Sequence, residues 1–162
     1  MSELVLYSHR GSAAVLTINR PDRRNALSRG LIAALADAFR RAADDPAARC
    51  VIFTGNGPAF CAGMDLDELR GTLGDESDKV WDDAAKLAAL YEQIYTLPKP
   101  TVAAVNGPAV AGGCGLVTVC DLAIAASGAK FGYPEVRRGL VAAMVMPHLL
   151  RHVGEQIGRA HV

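Results

Sequence analysis

Charge of one sign is what this sequence lacks most plainly: 17 Lys and Arg face 17 Asp and Glu, so the formal net charge at pH 7 is zero. No positive field draws the chain toward nucleic acid or an anionic membrane, and a polyanion partner is not expected. Cysteine occurs at 50, 61, 114 and 120 but never as Cys-x-x-Cys. Neither a disulfide framework nor a zinc ribbon is therefore expected, and the thiols read as small apolar residues. The opening MSELVLYSHRG has neither the cationic stretch nor the long apolar run of a secretory signal, so the expected location is the cytoplasm, with reduced thiols. Thr101 to Cys120 lacks charge and is long enough to span a bilayer, but it also carries Asn106, Pro108 and four glycines. Such breaks would strand backbone groups in lipid, whereas strand, turn and short helix explain the run in a protein core.

What is present is apolar material: 51% hydrophobic against 21% charged residues, enough for a single α/β domain with its own core. Leu4 to Ser8 and Ala14 to Asn19 are short β-prone runs separated by Arg10-Gly11-Ser12, a hairpin pattern. From Ser28, a suitable N-cap, Leu31, Leu35, Ala38, Phe39 and Ala42 share one face of a helix that ends near Asp45-Pro46. Cys50 to Thr54 and Thr101 to Val105 read as buried parallel strands. Arg70 to Asp78 reads as a surface loop, followed by a second long helix marked by Val80, Ala84, Leu87, Tyr91 and Ile94 and stopped by Pro98 and Pro100. Leu116 to Cys120 is expected to be a short apolar helix and Leu122 to Ala126 a strand. Alternating strands and helices point to right-handed crossovers, and no repeat of fixed length is evident.

Two segments carry chemistry. Asn106 to Gly115 (NGPAVAGGCG) is a glycine-rich turn from strand to helix, the arrangement that aims backbone N–H groups at an anion or a developing oxyanion. No Lys-Ser/Thr follows the glycines, which excludes a nucleotide P-loop, and the dinucleotide-binding glycine spacing is absent. A packing contact between helix and strand explains the same glycines equally well. Pro58 to Leu66 (PAFCAGMDL) again follows a buried strand. Two such strand ends lie on one edge of a parallel sheet, where open α/β sheets bind ligands, so two N–H donors could converge there.

With these motifs the chain resembles the enoyl-CoA hydratase/isomerase, or crotonase, family. The resemblance runs in order over nearly the whole chain, through Asn19 to Leu27 (NRPDRRNAL), Ala59 to Leu66 (AFCAGMDL), Val105 to Gly115 (VNGPAVAGGCG), Cys120 to Ala125 (CDLAIA) and Phe131 to Leu140 (FGYPEVRRGL). It implies an α/β, crotonase-like superhelix of repeated β-β-α turns, with the thioester carbonyl held by the backbone N–H groups of Met64 and Gly112. It further implies that coenzyme A runs along Arg23, Arg24, Ala62, Asp65 and Leu66, its adenine near the 62–66 backbone. An arginine beside a phosphate is chemically apt, though either could equally be a solvated member of a loop ion pair. Coenzyme A is part of the substrate, so no separate cofactor and no metal is expected. The resemblance implies a homotrimer or hexamer for the full-length protein.

The family's hydratases use two glutamates. Glu135 matches one, and Gly115 stands at the other position; Leu140 to Met144 replaces a stretch that is glycine-rich in hydratases. One retained carboxylate suits a single acid and base that removes an α-proton and returns it along the enolate. The expected function is therefore an enoyl-CoA hydratase/isomerase-type enzyme that stabilises a thioester enolate, with Glu135, Met64 and Gly112 as its catalytic groups. An acyl-CoA decarboxylase or hydrolase of the same fold is the first alternative, and a non-catalytic acyl-CoA-binding subunit the second. His148 and His152 are four apart without the intervening Glu of a zinc-protease helix and read as a surface pair. Cys114, with no histidine near it in sequence, reads as a core thiol rather than a nucleophile. Family members continue for roughly a hundred residues more, about the size of a domain. Residues 1–156 are thus expected to be a partial core lacking its C-terminal helices, inactive by itself. Residues 157–162 are expected to be a non-native tail, matching one frame of a sequencing adapter.

Overall fold

Gly11, in the left-handed region at φ 60°, turns β1 (Val5–Arg10) back onto β2 (Ala13–Ile18) as an antiparallel hairpin. The computed structural model describes residues 3–72, 77–139 and 141–159. After the hairpin every neighbour is parallel: β2 pairs with β3 (Cys50–Gly55), β3 with β4 (Thr101–Val105) and β4 with β6 (Leu122–Ala125), giving the order β1-β2-β3-β4-β6. A second, two-stranded parallel sheet joins β5 (Ala109–Val110) to β7 (Phe131–Gly132). Parallel pairing demands crossovers, and α1 (Arg29–Asp44) and α3 (Ser77–Tyr95) supply the first two. Ser28 caps α1 by accepting from the Leu31 N–H at 3.2 Å, as its position before the apolar periodicity predicts. Leu31, Leu35, Phe39 and Ala42 bury the expected face, and Phe39, Phe53 and Phe60 stack edge-to-face with centroids 5.2 Å apart between helix, sheet and loop.

Two expectations are corrected. α2 (Leu66–Thr72) and the start of α3 are helical within the segment read as a loop; residues 73–76 of that segment lie outside those described. The short apolar helix begins at Gly112 rather than Leu116: α4 spans Gly112–Thr118. Glycine has poor helix propensity, so the sequence reads as turn, but a Cβ at Gly113 would lie 2.3 Å from the Cys61 carbonyl, and close packing overrides propensity. The strand expected at 122–126 is present as β6, and its side chains are solvent-facing, Leu122 at 62% and Ile124 at 68%. α5 (Met146–Arg159) carries a kink at Gly154 and packs on α4; no helix among the described residues is long and apolar enough to cross a membrane.

Asn25 ties the turns together. It is fully buried in the left-handed region, accepts from the Arg20 N–H at 2.9 Å, and donates to the carbonyls of Asn56 at 2.9 Å and Ala59 at 2.7 Å. Replacing Asn25 with Ala leaves buried groups unpaired and a side chain without local hydrogen bonding at positive φ. The intact protein is expected to lose about 3 kcal/mol of stability, measured as a shift of the urea midpoint at constant m-value.

Candidate functional site

Three short parallel contacts, stacked like a stair, bring distant turns together beyond the sheet edge. Leu27 bridges to Met64, Cys61 to Ala109, and Ala109 to Phe131. At the first step the Leu27 N–H donates to the Gly63 carbonyl at 2.7 Å and the Asp65 N–H donates to the Leu27 carbonyl at 2.9 Å. The peptides flanking Met64 are consumed, and by the alternation of a parallel ladder the N–H of Met64 itself points the other way. At the second step Ala111 sits at φ 53° and ψ −122°, a conformation L-residues avoid, after donating its N–H to the Gly132 carbonyl at 2.8 Å. This twist opens α4 at Gly112, whose N–H has no helical carbonyl behind it. Neither N–H has a hydrogen-bond acceptor among the described residues.

Gly63 brings the two turns into contact. Its φ is +86°, and a Cβ there would lie 2.9 Å from both the Ala111 Cβ and the Val110 carbonyl oxygen, and 3.5 Å from the Gly112 nitrogen. Any side chain would wedge the turns apart. Met64, Gly112, Ala62, Leu66 and Glu135 line one cavity of about 510 Å³ whose wall is mainly apolar and includes Leu87 and Val145. That is the setting in which oriented donors act strongly on developing charge.

Register brings Glu135 in. Because Ala109 pairs with Phe131 and Val110 with Gly132, the residues just beyond, Gly112 and Glu135, both reach this cavity. Glu135 lies in a 3₁₀ turn over Pro134–Arg138, forms no ion pair among the described residues, and has Oε2 buried without a hydrogen-bond partner. A buried acceptor left unpaired is costly, which marks it as a group that meets a ligand or a transferred proton.

The structure explains why Gly115 carries no carboxylate. A Cβ there would fall 2.4 Å from Val145 Cγ1, 2.7 Å from Tyr91 Oη and 2.8 Å from Tyr91 Cζ. The buried Tyr91 phenol fills that space and donates to the Gly112 carbonyl at 2.9 Å. Burial lifts its pKa well above 10, with neighbouring thiols, Tyr133 and Glu135 adding to the rise, so it stays protonated.

The remaining residues expected at the site do not line this cavity. Arg23 is exposed and pairs with Asp67 at 2.9 Å; Arg24 is exposed in the left-handed region, with no ion-pair partner among the described residues. Asp65 is buried and turned from the cavity: Oδ2 accepts from Arg20 at 2.7 Å and Oδ1 from the Asp67 N–H at 3.0 Å, capping α2. Burial opposes its ionisation, but these donors outweigh burial and hold the carboxyl below its ordinary range. Cys114 donates to the Ala109 carbonyl, and burial pushes its thiol up to about 11, which suits packing rather than attack. His152 contacts the Thr118 carbonyl at 2.9 Å, His148 lies beside the rings of Tyr91 and Tyr95, and the described residues hold no metal-ligating cluster.

Sequence reasoning missed Tyr91 and Ala111 as parts of the site. Tyr91 belongs to the predicted apolar face of α3, and a tyrosine on such a face needs a buried partner for its hydroxyl; that was the available signal. No residue pattern announces the backbone twist at Ala111.

Similarity to known proteins extends over nearly the whole chain. A family model described as enoyl-CoA hydratase/isomerase matches residues 8–162. A Thermus thermophilus protein whose name assigns it provisionally to the enoyl-CoA hydratases is 44% identical over 150 residues, covering 93% of this chain and 59% of that protein. The 2,3-dehydroadipyl-CoA hydratase of Escherichia coli is 37% identical over 163 residues, covering 97% of this chain and 60% of its own. Among solved structures, an enoyl-CoA hydratase of Mycobacterium smegmatis superposes with a TM-score of 0.93 at 35% identity, covering 99% of this chain and 62% of that one. The chain thus spans about three fifths of the length of the relatives it matches.

Proposed function

The chain belongs to the enoyl-CoA hydratase/isomerase family, and on that premise we propose that the intact protein binds an enoyl-coenzyme A thioester and hydrates or isomerises its double bond. The N–H groups of Met64 and Gly112 form the oxyanion hole for the thioester enolate, and Glu135 moves the α-proton. The observation that carries this reading is the meeting of two acceptor-free backbone N–H groups and one unpaired buried carboxylate oxygen on a single apolar cavity.

Each part has a defined task. The thioester carbonyl lies between the two donors, which hold it more tightly as it becomes an enolate, so their contribution grows toward the transition state. Glu135 Oε2 accepts the α-proton and delivers it along the chain, or deprotonates a water for addition to the double bond. Coenzyme A leaves the cavity past Ala62 and Leu66 toward Arg23 and Arg24, whose exposed guanidiniums suit its phosphates. Asp65 contributes through the turn it stabilises, its side chain being committed to Arg20. The exposed apolar side chains of β6 and Phe131 support assembly into a homotrimer or hexamer. Four unpaired cysteines suit a reducing compartment, for which we propose the cytoplasm.

The test is incubation of the intact protein with a short panel of 2-enoyl and 3-enoyl thioesters in heavy water. Turnover of at least one, with deuterium entering the carbon next to the thioester, is expected. Binding without exchange or turnover on the whole panel would instead identify an acyl-CoA-binding subunit.

A further inference from the structure

Gly112, one of the two proposed donors, starts a helix that its own sequence cannot hold steady. α4 has only seven residues; Gly112, Gly113 and Gly115 are three of its first four, and its N-cap, Ala111, makes no side-chain hydrogen bond. Each glycine costs a helix about 1 kcal/mol relative to alanine, so this first turn would fray by itself. A catalytic donor, by contrast, has to be held to within about half an ångström of its productive position.

The missing restraint comes from another helix. Tyr91, on α3 and 21 residues away in sequence, is 1% exposed and donates its only O–H proton to the Gly112 carbonyl at 2.9 Å. Its oxygen also lies 3.1 Å from the place a Gly112 Cβ would take and 2.7 Å from that of Gly115, so the phenol lies against the first turn of α4 as well as bonding to it. We propose that Tyr91 is a positioning residue, which clamps residue 112 so that its N–H stays aimed at the cavity. This inference rests on the oxyanion-hole reading above. It gives the tyrosine a role distinct from acid or base, since its single proton is already committed to a backbone carbonyl.

Tyr91→Phe in the intact protein keeps the ring and removes the clamp. The expected result is a fall in kcat of about tenfold, with KM for the enoyl thioester within about threefold and Tm lowered by a few degrees at most. In a Gly112→Pro background, where no Gly112 N–H remains to be aimed, the same change should lower kcat no further. Unchanged kcat overturns the proposal, as do parallel losses of kcat, affinity and Tm, or a full tenfold loss in the proline background. Glu135→Gln is run alongside: if it too leaves α-proton exchange intact, the enolate reading itself has failed, whereas its failure to exchange beside a fully active Tyr91→Phe protein removes only the clamp.

Discussion

Replacing Gly112 with proline in the intact protein is expected to lower turnover of the enoyl thioester by on the order of a hundred- to a thousand-fold, the usual cost of removing one oxyanion donor. Proline deletes the N–H and nothing polar besides. The position favours a clean result in one respect, because Gly112 is the first residue of α4, where proline's fixed φ suits a helix. Ala111, at φ 53°, has to relax, since a residue before proline prefers extended backbone. Gly112→Ala supplies the control: it keeps the N–H, and its Cβ meets Tyr91 Oη at 3.1 Å and Leu27 Cδ1 at 3.2 Å, crowding that neighbours can absorb by a small shift. The alanine variant should stay within about tenfold of wild type, the proline variant far below it. Equal losses in both, or near-normal turnover with proline, would remove the Gly112 N–H from the reaction.

Glu135→Gln is the second large effect. Glutamine matches glutamate in size but cannot accept the proton, so exchange of the thioester α-hydrogen with heavy water should fall by at least about a hundred-fold. Affinity for the thioester should change little, because a base that acts in the transition state contributes to kcat rather than to ground-state binding. The crowding around Gly115 sharpens the experiment. Tyr91 and Val145 leave no room there for a second carboxylate that could take over the proton. Exchange that persists in the Gln variant would move the base to another group.

Much of the fold was legible because it rests on local physics. The Ser28 cap, the apolar faces of α1 and α3, the hairpin at Gly11 and the parallel strands at 50–55 and 101–105 all follow from capping, periodicity and uninterrupted apolar runs. The ordered motifs also carried the family. The helical start at Gly112 was not legible, because three glycines argue for a turn and only the Cys61 carbonyl, packed against Gly113, shows why they lie in a helix. The solvent-facing side chains of β6 were equally hidden, since apolar composition says nothing of what lies beside a strand.

The sequence by itself determined the α/β architecture, the family and the residue types at the site, because each depends on the pattern of a contiguous stretch. Tertiary structure alone decided which of those residues share the cavity. The register of β5 against β7 brings Glu135 and Gly112 to the same cavity, and Asp65 is committed to Arg20. The α3 crossover lays Tyr91 over Gly115, where a second carboxylate would otherwise stand. These contacts join residues twenty or more positions apart, and their geometry is set by how whole elements pack, which no local pattern encodes.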